Sequence, residues 1–162
     1  MNIKRNALII CVIFITMPIT GCVFNNEIKY IGKTLQINVD NCKIERQIDT
    51  HGGFLGDGDY FAKIVCTEET SEIAFRWKKL PLSENLQKVI DMKQCNNNGC
   101  YNVYERYNIP IIQHGYYYFI DRHSESIDKH SDEKINERSS YNFSLGIYDS
   151  DNKILYYYEL DT

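Results

Sequence analysis

Residues 141–160 restrict this chain more than any other stretch. Tyr141, Phe143, Leu145 and Ile147 alternate with Asn142, Ser144, Gly146 and Tyr148. Successive side chains of a strand point to opposite faces, so this pattern reads as a strand with one buried face. Asp149-Ser150-Asp151-Asn152 is made of turn-forming residues, and Lys153–Leu160 returns as a second strand. The pair is an antiparallel hairpin, so the fold must contain a sheet built around it. Tyr116-Tyr117-Tyr118 and Tyr156-Tyr157-Tyr158 put tyrosines on both faces of their strands. One such face packs the core. The other is either a wet aromatic binding surface or a second face covered by helices.

Leu35–Val39 alternates with period two, as do Ile44, Arg46 and Ile48 within Lys43–Ile48. Tyr60–Cys66 and Tyr116–Ile120 are strands by composition. Between them lie helical patterns. Thr67 is placed to cap a helix with Glu68 and Glu69 in its first turn and Lys78 and Lys79 in its last, an order that suits the helix dipole. Ile73, Trp77 and Leu80 share its apolar face, and Pro81 ends it. Ser83 is placed to cap a second helix with the stripe Leu86, Val89 and Ile90. Tyr101–Tyr107 reads as a third, short helix before Pro110. The grouping predicts an α+β domain over 35–162. Its antiparallel sheet has five to six strands, with two or three short helices between the N-terminal and C-terminal strands.

The N-terminus carries an address. Lys4 and Arg5 precede an apolar run over Ala7–Met17, which suits a signal peptide and is short for a membrane span. Ile19-Thr20-Gly21-Cys22 then resembles a bacterial lipobox. That resemblance implies cleavage after residue 21, lipidation of Cys22, and attachment to the outer side of the cell membrane by acyl chains. The competing reading is an ordinary secretory signal with a chance cysteine. Residues 22–34 then form the anchor and a polar tether. Without Lys4 and Arg5 the 18 basic residues become 16 against 22 acidic ones, a net charge of −6. Nucleic acid, which needs clustered Lys and Arg, is not the expected partner.

Cys42, Cys66, Cys95 and Cys100 remain, and outside the cytoplasm disulfides persist. Four cysteines allow three pairings, and their positions do not choose among them. Cys95 and Cys100 flank a small polar loop that a bridge would close; free thiols and a metal site are the competing readings.

Four of nine glycines fall in the run Asp49–Asp59, beside Asp49, Asp57, Asp59 and His51. Glycine permits positive φ and close approach of another backbone, so the chain bends sharply here and holds polar groups at the bend. A second polar tract, Asp121–Ser140, leaves the strand at Tyr116–Ile120 with Arg122 and His123 at its start. If that strand runs antiparallel to Tyr60–Cys66, His51, Asp57, Asp59, Arg122 and His123 gather at one edge as a ligand-binding cluster. A cation site at the glycine run lacks the full ligand pattern of calcium loops. Catalysis would rest on His51 as a base oriented by Asp49 or Asp57. Neither Gly-x-Ser-x-Gly nor His-Glu-x-x-His accompanies it. No catalytic residue, metal ligand or cofactor is assigned.

His51-Gly52-Gly53-Phe54-Leu55-Gly56-Asp57-Gly58, Trp77-Lys78-Lys79-Leu80-Pro81-Leu82, Tyr116–Ser124 and Leu155–Thr162 resemble runs in small lipoproteins of low-GC Gram-positive bacteria. The resemblance covers most of 45–162, implies an envelope of that type and carries no activity. The expected function is therefore a membrane-anchored extracytoplasmic binding domain for a protein or peptide, an immunity-type lipoprotein being one such role. The alternative is a small envelope hydrolase using His51 and neighbouring carboxylates.

Overall fold

A computed structural model of the chain describes residues 20–52, 56–67, 73, 76–96 and 99–162, with side chains from residue 26 onward except that of Asn96. The signal-peptide stretch 1–19, Gly53–Leu55 of the glycine run, the Cys22 side chain, and the first turn predicted at Glu68 and Glu69 lie outside the described residues.

The hairpin is there. Strands β7 (Asn142–Asp149) and β8 (Ile154–Asp161) pair antiparallel through Asn142↔Asp161 to Asp149↔Ile154. They form the centre of an antiparallel sheet with β1 (Cys42–Asp49), β2 (Gly58–Cys66), β3 (Lys78–Lys79) and β6 (Gly115–Asp121), in the order β1-β2-β8-β7-β6-β3. A two-stranded ribbon, β4 (Gln94–Asn96) and β5 (Gly99–Tyr101), stands apart. The described helices are α1 (Thr20–Leu35), α2 (Glu84–Asp91), α3 (Val103–Tyr107) and a 3₁₀ turn at Ile135–Glu137. The architecture is α+β.

The sheet is buried on both faces, because alternation along β8 feeds two cores. Tyr156, Tyr158 and Leu160 join Phe61, Phe119, Phe143, Leu86, Ile90 and Tyr107 on one face, under α2 and α3. Leu155 and Tyr157 join Ile31, Leu35, Ile64, Ile73 and Trp77 on the other, under α1. The three consecutive tyrosines are each at most 4% exposed. Of the two readings of the tyrosine runs, the covered one therefore holds at 156–158.

Three local expectations are corrected. The segment 25–33, read as a polar tether, lies in α1, and Ile28, Ile31 and Leu35 dock it on the sheet. Its charged residues hid a stripe at helical spacing. Leu35–Val39 is not a strand. Leu35 ends α1, Gln36 turns with φ 57°, and Ile37 and Val39 fold back against Gly32, where a Cβ would sit 2.8 Å from Val39 Cγ2. Alternation here serves a packed connection. Lys78 and Lys79, read as a helix end, instead pair with Tyr117 and Tyr116 in β3, just after a helical bond from Trp77 N–H to the Ile73 carbonyl.

Other signals match. Ser83 accepts from the Leu86 N–H and caps α2, whose Leu86, Val89 and Ile90 are buried. Asn102 and Glu105 form a reciprocal capping box that starts α3, and Asn108 closes it in the left-handed region. Disulfides join Cys42 to Cys66 across β1 and β2, and Cys95 to Cys100 across β4 and β5. Among the described residues no helix is long and apolar enough to cross a membrane.

Candidate functional site at one end of the sheet

β2 and β6 do not pair, since β8 and β7 lie between them. Each successive pairing is antiparallel, so the start of β2 and the end of β6 still lie at the same end of the sheet. The register shows it: Gly58 faces Asp161, Asp161 faces Asn142, and Asp121 faces Phe143. The glycine run and the polar insertion converge there through a central strand absent from the sequence argument.

The run folds back tightly on itself. Thr50 N–H bonds the Asp59 carbonyl at 2.9 Å. Gly58, at φ 157°, would place a Cβ 2.6 Å from His51 N and Cα. Only a residue without Cβ lets the two limbs of the loop pack this closely. The bend delivers His51 to β8. Its Nδ1 lies 2.7 Å from Asp49 Oδ1 and its Nε2 lies 3.1 Å from Asp161 Oδ2. Partial burial disfavours the imidazolium, but bonds to Asp49 and Asp161 and their charges outweigh it, so the His51 pKa lies above its ordinary value. With a carboxylate at each nitrogen, both carry protons in the charged form.

Arg122 reaches the same carboxylate from the opposite side. Its backbone N–H bonds the Asn142 carbonyl at 2.7 Å, which sets its direction. Its Nη2 lies 3.0 Å from Asp161 Oδ1, and donates to the Phe143 carbonyl at 3.2 Å. Asp161 is thus the hub that joins His51 to Arg122. Next along the same face, Glu159 is 7% exposed and accepts hydrogen bonds from Tyr157, from Ser144 at 2.9 Å and from Tyr30 of α1 at 3.1 Å. Burial, then the Glu159 carboxylate, push the Tyr157 hydroxyl far above its usual range, so it stays a donor.

The predicted cluster is only partly assembled. His51 and Arg122 are brought together. Asp59 is not with them: it lies on the other face of the sheet, 2% exposed. There it accepts from Thr50 and from Tyr107 at 2.5 Å, and sits 3.3 Å from Arg106. Alternation along β2 put it there. Asp57 is exposed on the loop, where its carbonyl accepts from Gly52 at 3.3 Å. His123 turns into the insertion, 3.3 Å from Ser140 Oγ, with its N–H on Asp121 at 3.1 Å. Asp161, Glu159 and Tyr157 were missed by sequence reasoning. A signal existed: carboxylates at i and i+2 in an otherwise apolar strand share one face and need partners there.

The insertion has its own anchor. Arg138 donates two bonds to Asp121, at 3.0 and 2.7 Å, with Asp121 only 3% exposed. Above this pair opens a cavity of about 370 Å³ rimmed by Glu125, Asp128, Glu133 and Glu137. A second cavity, about 360 Å³ and mostly apolar, lies between Leu80–Leu82 and Ile109–Ile112. Among the described residues no group of three or more His, Cys, Asp or Glu is placed to hold a metal ion.

The sequence matches no protein-family model, and no curated protein or solved structure matches the chain.

Proposed function

We propose that this protein is a lipid-anchored lipoprotein on the outer side of the cell membrane, and that it binds a protein or peptide at the sheet end bearing His51, Arg122 and Asp161. The lipobox at Ile19–Cys22 supports the anchor, the two disulfides favour an oxidising compartment, and the resemblance to Gram-positive envelope lipoproteins points the same way. The arrangement around Asp161 carries the binding reading. Charged groups about a quarter exposed are held on a rigid sheet end, next to two loops. Three carboxylates, Asp49, Glu159 and Asp161, surround two cations, Arg122 and the imidazolium of His51. Together with the net charge of the chain, this favours a basic partner.

Hydrolysis by His51 is the weaker reading. A general base needs a free nitrogen facing substrate, and both ring nitrogens of His51 face carboxylates.

The test is capture of partners from intact envelope with residues 23–162 as bait. A specific partner eluted by salt is expected. Arg122→Ala should reduce capture while stability falls by less than about 1 kcal/mol, because the ion pair is partly exposed. A loss of capture that only tracks a loss of folding would assign Arg122 a structural role. Ester or peptide hydrolysis that disappears in His51→Ala would instead establish the enzyme reading.

A further inference from the structure

The direction of α1 fixes which end of the domain meets the membrane, given the Cys22 anchor proposed above. Leu35 lies against Gly146, where a Cβ would be 2.9 Å from Leu35 Cδ1. Tyr30 lies over Glu159. Gly146 pairs with Tyr157 and Ser144 with Glu159, so moving back along α1 from Leu35 to Tyr30 moves toward the Asn142–Asp161 end of the sheet.

From Tyr30 back to Cys22 is about 12 Å of helix at 1.5 Å per residue. From Glu159 to the sheet end at Asp161 is about 7 Å. The helix therefore outruns the sheet at the His51 end. Its first buried residue, Ile28, is about 9 Å of helix from Cys22. No break in α1 lies between Cys22 and the docked residues to act as a hinge.

We propose that the sheet end carrying Thr50–Gly52, Gly56–Gly58, Arg122 and Asp161 faces the phospholipid headgroup layer, with α1 as a rigid stalk. The opposite end, with the Cys42–Cys66 bridge and the Ser150–Lys153 turn, points away. Such a face sits within about one Debye length of the surface. Its carboxylates keep it from embedding in anionic headgroups. A gap of one Debye length admits an extended peptide segment lying along the membrane surface and not a folded partner.

The test uses the full chain, acylated in a bacterial host and placed in phospholipid nanodiscs carrying a paramagnetic headgroup. Amide relaxation is read at Gly52, Gly58 and Asp161 and at Asn152 and Lys153. The two ends differ by the length of β8, about 25 Å for eight residues, so enhancement at the first set should exceed the second by about tenfold or more. A flexible Gly-Ser segment inserted between Phe24 and Asn25 should abolish the contrast while leaving acylation intact. Equal enhancement at both ends of an acylated chain overturns the orientation alone. A contrast that survives the insertion overturns the stalk. A chain without acyl groups by mass spectrometry overturns the anchor and the orientation with it.

Discussion

At the residue scale, one histidine and one arginine hold two loops to the core. His51 has its pKa raised by Asp49 and Asp161 against the cost of burial. A group whose folded pKa exceeds its unfolded value, about 6.5, gives its full stabilisation below that pH and loses it as pH rises through the folded pKa. The folded protein should therefore lose up to about 1 kcal/mol between roughly neutral and mildly alkaline pH. His51→Gln should remove that slope, as read from urea midpoints across the range; an unchanged slope would mean that another group carries it. Arg138 acts with the opposite sign. Burial works against the Asp121 carboxylate, but Arg138, Ser126 and the His123 N–H outweigh it and lower its pKa. That stabilisation is present above the ordinary carboxylate value and fades as pH falls through the lowered one. Arg138→Ala strands a buried carboxylate and should cost about 3–5 kcal/mol at neutral pH, less in acid. Denaturation at both pH values checks the size and the sign.

At the scale of elements, α1 decides the second core. Its Ile31 and Leu35 are fully buried against Ile64, Ile73, Trp77 and Tyr157. Leu35→Ala should cost about 2–5 kcal/mol through lost burial and the cavity left behind. Denaturant midpoints measure it, and a change below 1 kcal/mol would mean that the helix is not docked in solution. A domain cut at residue 35, the boundary that the strand pattern suggests, would expose this core. The pattern misleads there for a physical reason. Alternation at 35, 37 and 39 records which side chains are buried, and an extended connection with a left-handed residue at Gln36 buries the same ones without a ladder. The hairpin β7–β8 was legible because an alternating strand, one run of turn residues and a second strand-forming run of equal length leave few other folds.

At the scale of the whole molecule, α1 carries the N-terminal side of the chain directly into the folded domain, with Ile31 and Leu35 buried in its core. Cys22→Ala should leave the unprocessed precursor without an acyl label in a palmitate-labelling experiment, and persisting label on that variant would remove the lipobox reading. Charge balance, strand periodicity and helix caps are local properties of the chain, so the sequence alone determined the α+β class and most of the elements. It also placed His51 and Arg122 at one end of the sheet, but by expecting β2 and β6 to pair directly; the placement survives because three antiparallel pairings, an odd number, separate the two strands. What the sequence did not determine was the order of the two strands, β8 and β7, that lie between β2 and β6. β8 enters the middle of the sheet, so Asp161, 39 residues from Arg122 and 110 from His51, becomes their common partner. Nor did it reveal that Asp59, two positions beyond Asp57, would turn to the other face and be buried against Tyr107. Both facts depend on strand order and on contacts between residues far apart in the chain. Side-chain alternation fixes which residues share a face of one strand; only the packing of sheet against helix decides what that face meets.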